Sequence, residues 1–238
     1  MKKYIFVIGL SLMTFQALSA PTKVNAREFS LFLDKTRIIY NEESSAQSLS
    51  AINKQKYPML LQAKVIPAHE GGDINFIVTP PISRVDPGQQ VSLRIIKDNV
   101  IAQTDRETLS YLCVKGLPPE KANQGDVQEG VGLKLNVLVS ACEKIIYRPK
   151  GVSGKPQDSA GQLTWRSVNG QIVVNNPTPF IMTLGQLFVN GEKVSVEDYI
   201  PPFGALSIDH QAVIGSSLDW TVIADYGGDS RKFTARLK

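Results

Sequence analysis

The stretch Val131-Gly-Leu-Lys-Leu-Asn-Val-Leu-Val-Ser-Ala-Cys-Glu-Lys-Ile-Ile-Tyr-Arg-Pro149 decides the fold. Val131, Leu133, Leu135, Val137 and Val139 form an unbroken odd-numbered apolar row. The even positions Gly132, Lys134, Asn136 and Ser140 are polar or glycine, and Leu138 is the exception. Period two predicts a β-strand with one apolar face. At roughly 3.3 Å per residue the row reaches about 30 Å, long for a strand in a small domain. Cys142 and Lys144 follow at once. A long one-faced strand with a charged end reads as a strand lent to a second polypeptide.

Outward from this stretch, the N-terminus reads as a removable segment. Met1-Lys2-Lys3 is a positive start, Tyr4 to Leu18 is mostly apolar, and small residues follow. This pattern predicts a secretory signal peptide over 1–26, with Val24-Asn25-Ala26 as the cleavage pattern and Ala20 as the other site. A membrane anchor is the alternative reading, and the apolar run is short for a spanning helix. The net charge of +4 and the pI near 9.0 largely leave with the peptide, because Lys2, Lys3 and Lys23 go and no acid does. The basic balance therefore does not argue for nucleic acid or anionic lipid. The two cysteines, Cys113 and Cys142, are expected to form a disulfide in an oxidising compartment, two free buried thiols being the alternative. That bond would close a loop of about 30 residues and contribute roughly 3–4 kcal/mol by chain entropy.

Strand signals fill the rest. Phe29 to Leu33, Arg37 to Tyr40, Leu49 to Ile52, Met59 to Ile66, Ile74 to Val78, Val91 to Ile96 and Leu109 to Val114 are short β-rich runs. Turn-forming clusters such as Asp86-Pro87-Gly88 separate them. This spacing predicts an immunoglobulin-like sandwich over 27–149. Leu117 to Gly130 reads as a long polar loop, expected to be mobile, with the disulfide stapling its base. Pro149 to Asp158 is linker-like, and a second, smaller sandwich over 150–238 is expected. Asn169-Gly170 and Asn190-Gly191 mark two of its hairpins.

Catalytic constellations are missing from the sequence. His69 and His210 are the two histidines, both in polar turn segments without triad or metal spacing. There is no phosphate-binding glycine loop and no nucleophile elbow. Asp225-Tyr-Gly-Gly-Asp229 lacks the spaced ligands of a calcium loop. No enzyme activity, cofactor, metal or nucleic-acid partner is expected. Arg37, Lys144 and Arg148 are charges set among β-rich runs, where solvent-facing charge, or an interdomain ion pair for Arg148, is the plain reading.

At these residues the chain resembles the periplasmic chaperones of the chaperone–usher pathway. The resemblance rests on Asp34-Lys-Thr-Arg37-Ile-Ile-Tyr40, Thr79-Pro80-Pro81 with Arg84-Val-Asp-Pro-Gly-Gln, and Asp105-Arg106-Glu107. It continues in Lys144-Ile-Ile-Tyr147-Arg148-Pro149, Asn176-Pro177-Thr178-Pro179-Phe180 and Asp225-Tyr226-Gly227-Gly228. The flanking cysteines, the long loop and the five-membered apolar row resemble the long F1–G1 loop subfamily.

The resemblance implies an all-β chain of two immunoglobulin-like sandwiches in an L shape with a cleft between them. It implies a cis proline at Pro80 or Pro81. Arg37 and Lys144 would hold the C-terminal carboxylate of a fimbrial or afimbrial adhesin subunit. Val131, Leu133, Leu135, Val137 and Val139 would be the donor strand, with Phe29, Leu31 and Leu33 as first-strand apolar contacts. Glu107, Arg148 and Asp225 would orient the domains. The implied setting is the periplasm, with delivery to an outer-membrane usher and no ATP. An exposed strand edge also invites self-capping into a homo-oligomer. The competing reading, a secreted β-rich fibre subunit or adhesin, fits an internal apolar row and a second domain less well.

Overall fold

A computed structural model describes residues 24–119 and 133–238 of the 238-residue chain. The signal segment up to residue 23, most of the polar loop, and Val131 lie outside the described residues. The first half comprises β1 (Val24–Phe29), β2 (Phe32–Leu33), β3 (Arg37–Asn41), β4 (Gln47–Ile52), β5 (Met59–Pro67), β6 (Phe76–Thr79), β7 (Ile82–Val85), β8 (Gln90–Lys97), β9 (Thr108–Leu117), β10 (Leu133–Leu138) and β11 (Ser140–Arg148). A short helix α1 (Pro156–Ser159) and a 3-10 turn (Ala160–Gln162) lead into the second half. There follow β12 (Thr164–Val168), β13 (Gln171–Asn175), β14 (Met182–Val189), β15 (Glu192–Lys193), β16 (Tyr199–Ile200), β17 (Ala205–Gln211), β18 (Ser217–Val222) and β19 (Phe233–Arg236).

Two sandwiches result. In the first, the five-stranded sheet β3-β11-β9-β5-β7 faces the four-stranded sheet β2-β4-β8-β6. The alternation in Met59–Pro67 explains the packing: Met59, Leu61, Ala63 and Val65 are buried while Leu60, Gln62 and Lys64 are exposed. Of these, Leu61, Ala63 and Val65 join Leu49, Leu93, Ile95, Leu112, Ile145 and Tyr147 in one core. Tyr40 packs its ring 5.0 Å from that of Phe76, and its hydroxyl accepts the Lys97 amide at 3.2 Å. A buried phenol thereby keeps a polar partner. In the second domain, β12-β13-β17 covers β15-β14-β18-β19, with β16 added to β14. Trp165 and Trp220 lie 5.1 Å apart at its centre. Both Asn-Gly turns adopt the left-handed geometry expected of them, with φ of 53° and 84° at Asn169-Gly170 and 50° and 84° at Asn190-Gly191. A two-residue hairpin needs positive φ at both positions, which asparagine tolerates and glycine adopts freely.

Three expectations change. The Val131–Val139 row is not one strand with the clamp that follows it. β10 ends at Leu138 and β11 begins at Ser140. β11 is paired with β9 from Ser140 to Tyr147 and lies between β9 and β3 only from Lys144 onward. β10 takes β1 as a parallel neighbour, from Val24↔Leu133 to Phe29↔Leu138. The first-strand run likewise divides among three sheets, β1 with β10, β2 with β4 and β3 with β11. Finally, the linker contains α1, started by Pro156 in its first turn, where the missing amide costs nothing.

Candidate functional site

The site grows from β11. This strand runs parallel to β3 with Lys144 opposite Arg37 and antiparallel to β9 with Lys144 opposite Tyr111. Residues directly opposite share a face, so Arg37, Lys144 and Tyr111 stand side by side. Alternation puts Ile145 and Tyr147 into the first core and leaves Lys144, Ile146 and Arg148 on the other face, toward the second domain.

Both expected anchor cations reach across the domain boundary. Arg37 Nη1 donates to the Ile223 carbonyl at 3.0 Å, and Lys144 Nζ donates to Thr183 Oγ1 at 3.1 Å. Arg37 is only 8% exposed, and its Nε is buried without a hydrogen-bond partner among the described residues. Neither cation forms an ion pair among the described residues. Burial, reinforced by the Arg37 charge, pushes the Lys144 pKa below its usual value, against the pull of Asp198 and Glu143. Burial lowers that of Arg37 too, opposed by Asp225, Glu107 and Glu143. Glu143, also partly buried, has its carboxyl raised by desolvation in spite of both cations. The arrangement is two adjacent, poorly solvated positive charges with donors to spare. A carboxylate seated between them would gain charge-assisted hydrogen bonds and relieve the like-charge repulsion.

The expected donor-strand residues precede Lys144 in sequence. Val137, Leu138 and Val139 are large apolar side chains that are 41%, 43% and 36% exposed. Leu133 and Leu135 lie in β10, and Val131 falls outside the described residues. Cys113 and Cys142 are bonded to each other as directly opposed residues of β9 and β11, which fastens β11 just ahead of Lys144. Of the first-strand contacts, Phe29 ends β1. Leu31 and Leu33 pack against the first-domain core and line no described part of the cation site.

A second cluster sits four residues, two steps of the alternation, further along β11. Arg148 donates through Nε to Glu107 Oε1 at 2.6 Å and through Nη1 and Nη2 to the two Asp225 oxygens at 2.8 and 2.9 Å. Glu107 Oε2 accepts the Ile181 amide at 2.8 Å, and the Glu107 amide donates to the Pro179 carbonyl. Burial lifts the Glu107 carboxyl above its ordinary range, with Arg148 and the Ile181 amide pulling it down. Burial also works against the Arg148 charge, but Asp225 and Glu107 outweigh it. The loop supplying Pro179 and Ile181 is held by Asn176, whose Nδ2 donates to the Phe180 and Pro201 carbonyls. Its Oδ1 accepts from Thr178. The motif Asn176 to Phe180 is therefore a rigid shelf for the domain junction. The cis peptide bond falls at Thr79-Pro80, on the far side of the first domain's sheet.

Residues of both domains line an open pocket of about 400 Å³, among them Pro67, His69, Glu107, Ile181, Tyr199 and Pro201; neither Arg37 nor Lys144 is part of its lining. Among the described residues no group of three or more metal-ligating side chains occurs, and no helix is long and apolar enough to cross a membrane. Sequence reasoning missed Thr183, Tyr199 and the Ile223 carbonyl. They come from the second domain, and nothing local marks them.

Comparison with known proteins follows this geometry. Residues 30–153 match the family model of the pili and flagellar-assembly chaperone PapD N-terminal domain. Residues 158–234 match that of the pili assembly chaperone PapD C-terminal domain. The chain is similar to chaperone protein AggD of Escherichia coli, 37% identical with 97% of this chain and 95% of that one covered. It is also similar to chaperone protein PsaB of Yersinia pestis, 34% identical with 98% and 93% covered. Among solved structures it resembles the E. coli chaperone DraB, with 40% identity, a TM-score of 0.77 and coverage of 91% and 100%. It resembles the complex of Salmonella enterica SafA pilin with the SafB chaperone at 37% identity, TM-score 0.80 and coverage of 90% and 100%. Matching both halves of one architecture over nearly its whole length, the chain belongs to the PapD family of pili-assembly chaperones, a non-enzymatic family.

Proposed function

We propose that this chaperone acts in the periplasm on fimbrial or afimbrial adhesin subunits, lending them β10 in place of a missing strand. The observation that carries this reading is the cation pair Arg37–Lys144, without an ion-pair partner among the described residues, with Lys144 following in sequence the exposed Val137, Leu138 and Val139. The pair holds the subunit's C-terminal carboxylate and so sets register. The subunit's last strand then adds to the sheet edge, the recognition mode in which main-chain bonds give affinity and alternate side chains give specificity; chaperone–pilin complementation is a standing example of it. Val131, Leu133, Leu135, Val137 and Val139 fill the subunit's groove, each contributing roughly 1.5–3 kcal/mol before ordering costs. The pilin–chaperone complex among the structural relatives supports subunit binding. The disulfide at the base of the hairpin and the five-membered row support the long F1–G1 loop class. The signal-peptide pattern of the first 26 residues supports export to the periplasm, and delivery to an outer-membrane usher completes the proposal. No ATP is used, since the energy resides in the subunit's unfinished fold.

Co-purification from periplasm tests the reading. The wild-type chain is expected to carry a fibre subunit, and Arg37→Ala with Lys144→Ala is expected to lose it while keeping the same far-UV spectrum and melting temperature. Fibre assembly by the folded double variant would sink the carboxylate assignment. Charged replacements at Leu135 and Val137 are expected to weaken capture at least tenfold; unchanged affinity would remove the row from the interface.

A further inference from the structure

We infer that Tyr199 is a positioning residue for the terminal carboxylate, the second-domain counterpart of the Arg37–Lys144 pair; the inference rests on the carboxylate reading above. Three observations place it there. Tyr199 in β16 is the cross-strand partner of Thr183 in β14, and Lys144 Nζ touches that pair twice, at 3.1 Å from Thr183 Oγ1 and 5.9 Å from the Tyr199 ring centre. Its backbone is fixed by Asp198, whose Oδ1 accepts the Tyr199 amide at 2.8 Å. And it stands between two spaces, with the cations on one side and the interdomain cavity on the other, where it is part of the lining.

The chemistry follows from this placement. A carboxylate presents about four lone-pair sites. Arg37 and Lys144 each hold one donor on the second domain and approach from the first-domain sheet, so a donor on β16 would meet the carboxylate from the other side. Burial raises the Tyr199 phenol above its ordinary range, and Asp198 adds to the rise, so the hydroxyl keeps its proton and acts as a donor. Tyr111, opposite Lys144 on β9, closes the first-domain side of the same ring of residues. The phenol thus orients the carboxylate against the cations. The ring wall keeps the last residue's side chain out of the cavity, or admits it, according to size.

The test uses the intact protein and two synthetic peptides of alternating valine and threonine, fluorescein-labelled at the N-terminus, one ending in a free carboxylate and one amidated. Wild type is expected to prefer the acid. Tyr199→Phe, which keeps the ring and its packing, is expected to lose about tenfold in affinity for the acid, the scale of one hydrogen bond to a charged group, with no change for the amide. Equal losses for both peptides, or none, would overturn the role of the hydroxyl. A wild-type protein indifferent to amidation would instead fail the carboxylate reading itself, which Arg37→Ala checks separately. Tyr199→Ala is expected to bind peptides with a bulky terminal residue better than Tyr199→Phe does. An unchanged ranking of terminal residues would remove the wall function.

Discussion

Two clusters of charge lie between the domains, both reached from β11, and they are built oppositely. Around Arg148 the accounts close. Its guanidinium meets Glu107 and Asp225, and Glu107 also accepts a backbone amide. Around Arg37 and Lys144 they stay open, with two cations adjacent in register, an orphaned Arg37 Nε, and only a carbonyl and a hydroxyl to meet them. A buried charge network with every member satisfied fixes a structure. A half-satisfied one destabilises the free protein and gains when a ligand completes it. The first cluster ties the two domains together through ion pairs, and on the proposed function the second is where the subunit's carboxylate enters.

This contrast can be broken experimentally. The largest effect belongs to Arg148→Ala, which leaves Glu107 buried without its counter-ion. It is expected to cost about 3–5 kcal/mol in urea unfolding, and a loss under 1 kcal/mol would mean the cluster does not join the domains. Glu107→Gln keeps the hydrogen bond to Ile181 and the Asp225 pair, and is expected to cost about 1–3 kcal/mol. Lys144→Met should do the reverse: capture of subunit is lost while stability changes by about 0.5 kcal/mol or less, because it removes one of two repelling charges. The pH dependence follows in sign. The Lys144 pKa lies below its usual value in the free protein, so the charge is lost earlier than in free lysine as pH rises. Affinity for an acid-ended peptide is expected to fall as pH rises, beginning below the range in which a free lysine titrates, and binding of the amidated peptide is not. The Lys144→Met variant should show no such slope.

Much of this was legible in the chain. Period-two runs predicted β5, β8 and β9, because one buried face writes itself into alternate residues. The Asn-Gly pairs predicted two turns, because few residues accept positive φ. The opposed cysteines follow from export and spacing. What was not legible depends on partners distant in sequence. The break at Val139 is a change of partner, from β9 for β11 to β1 for β10, and the division of the first run among three sheets depends on which neighbours each piece finds. Thr183 and Tyr199 look like ordinary strand residues until β14 and β16 pair and face Lys144. Leu31 and Leu33, expected as contacts for a guest, also pack, partly buried, against the first domain's own core.

The parallel pairing of β1 with β10 has a consequence for export. Its register begins at Val24↔Leu133, then Asn25↔Lys134 and Ala26↔Leu135. On the proposed export, removal of the leader after Ala26 would cut away half of β1 and leave the first part of β10 without that neighbour, whereas removal after Ala20 would keep every pair. The intact mass of the purified protein would tell the two cleavages apart, and with them how much of the β1–β10 pairing remains.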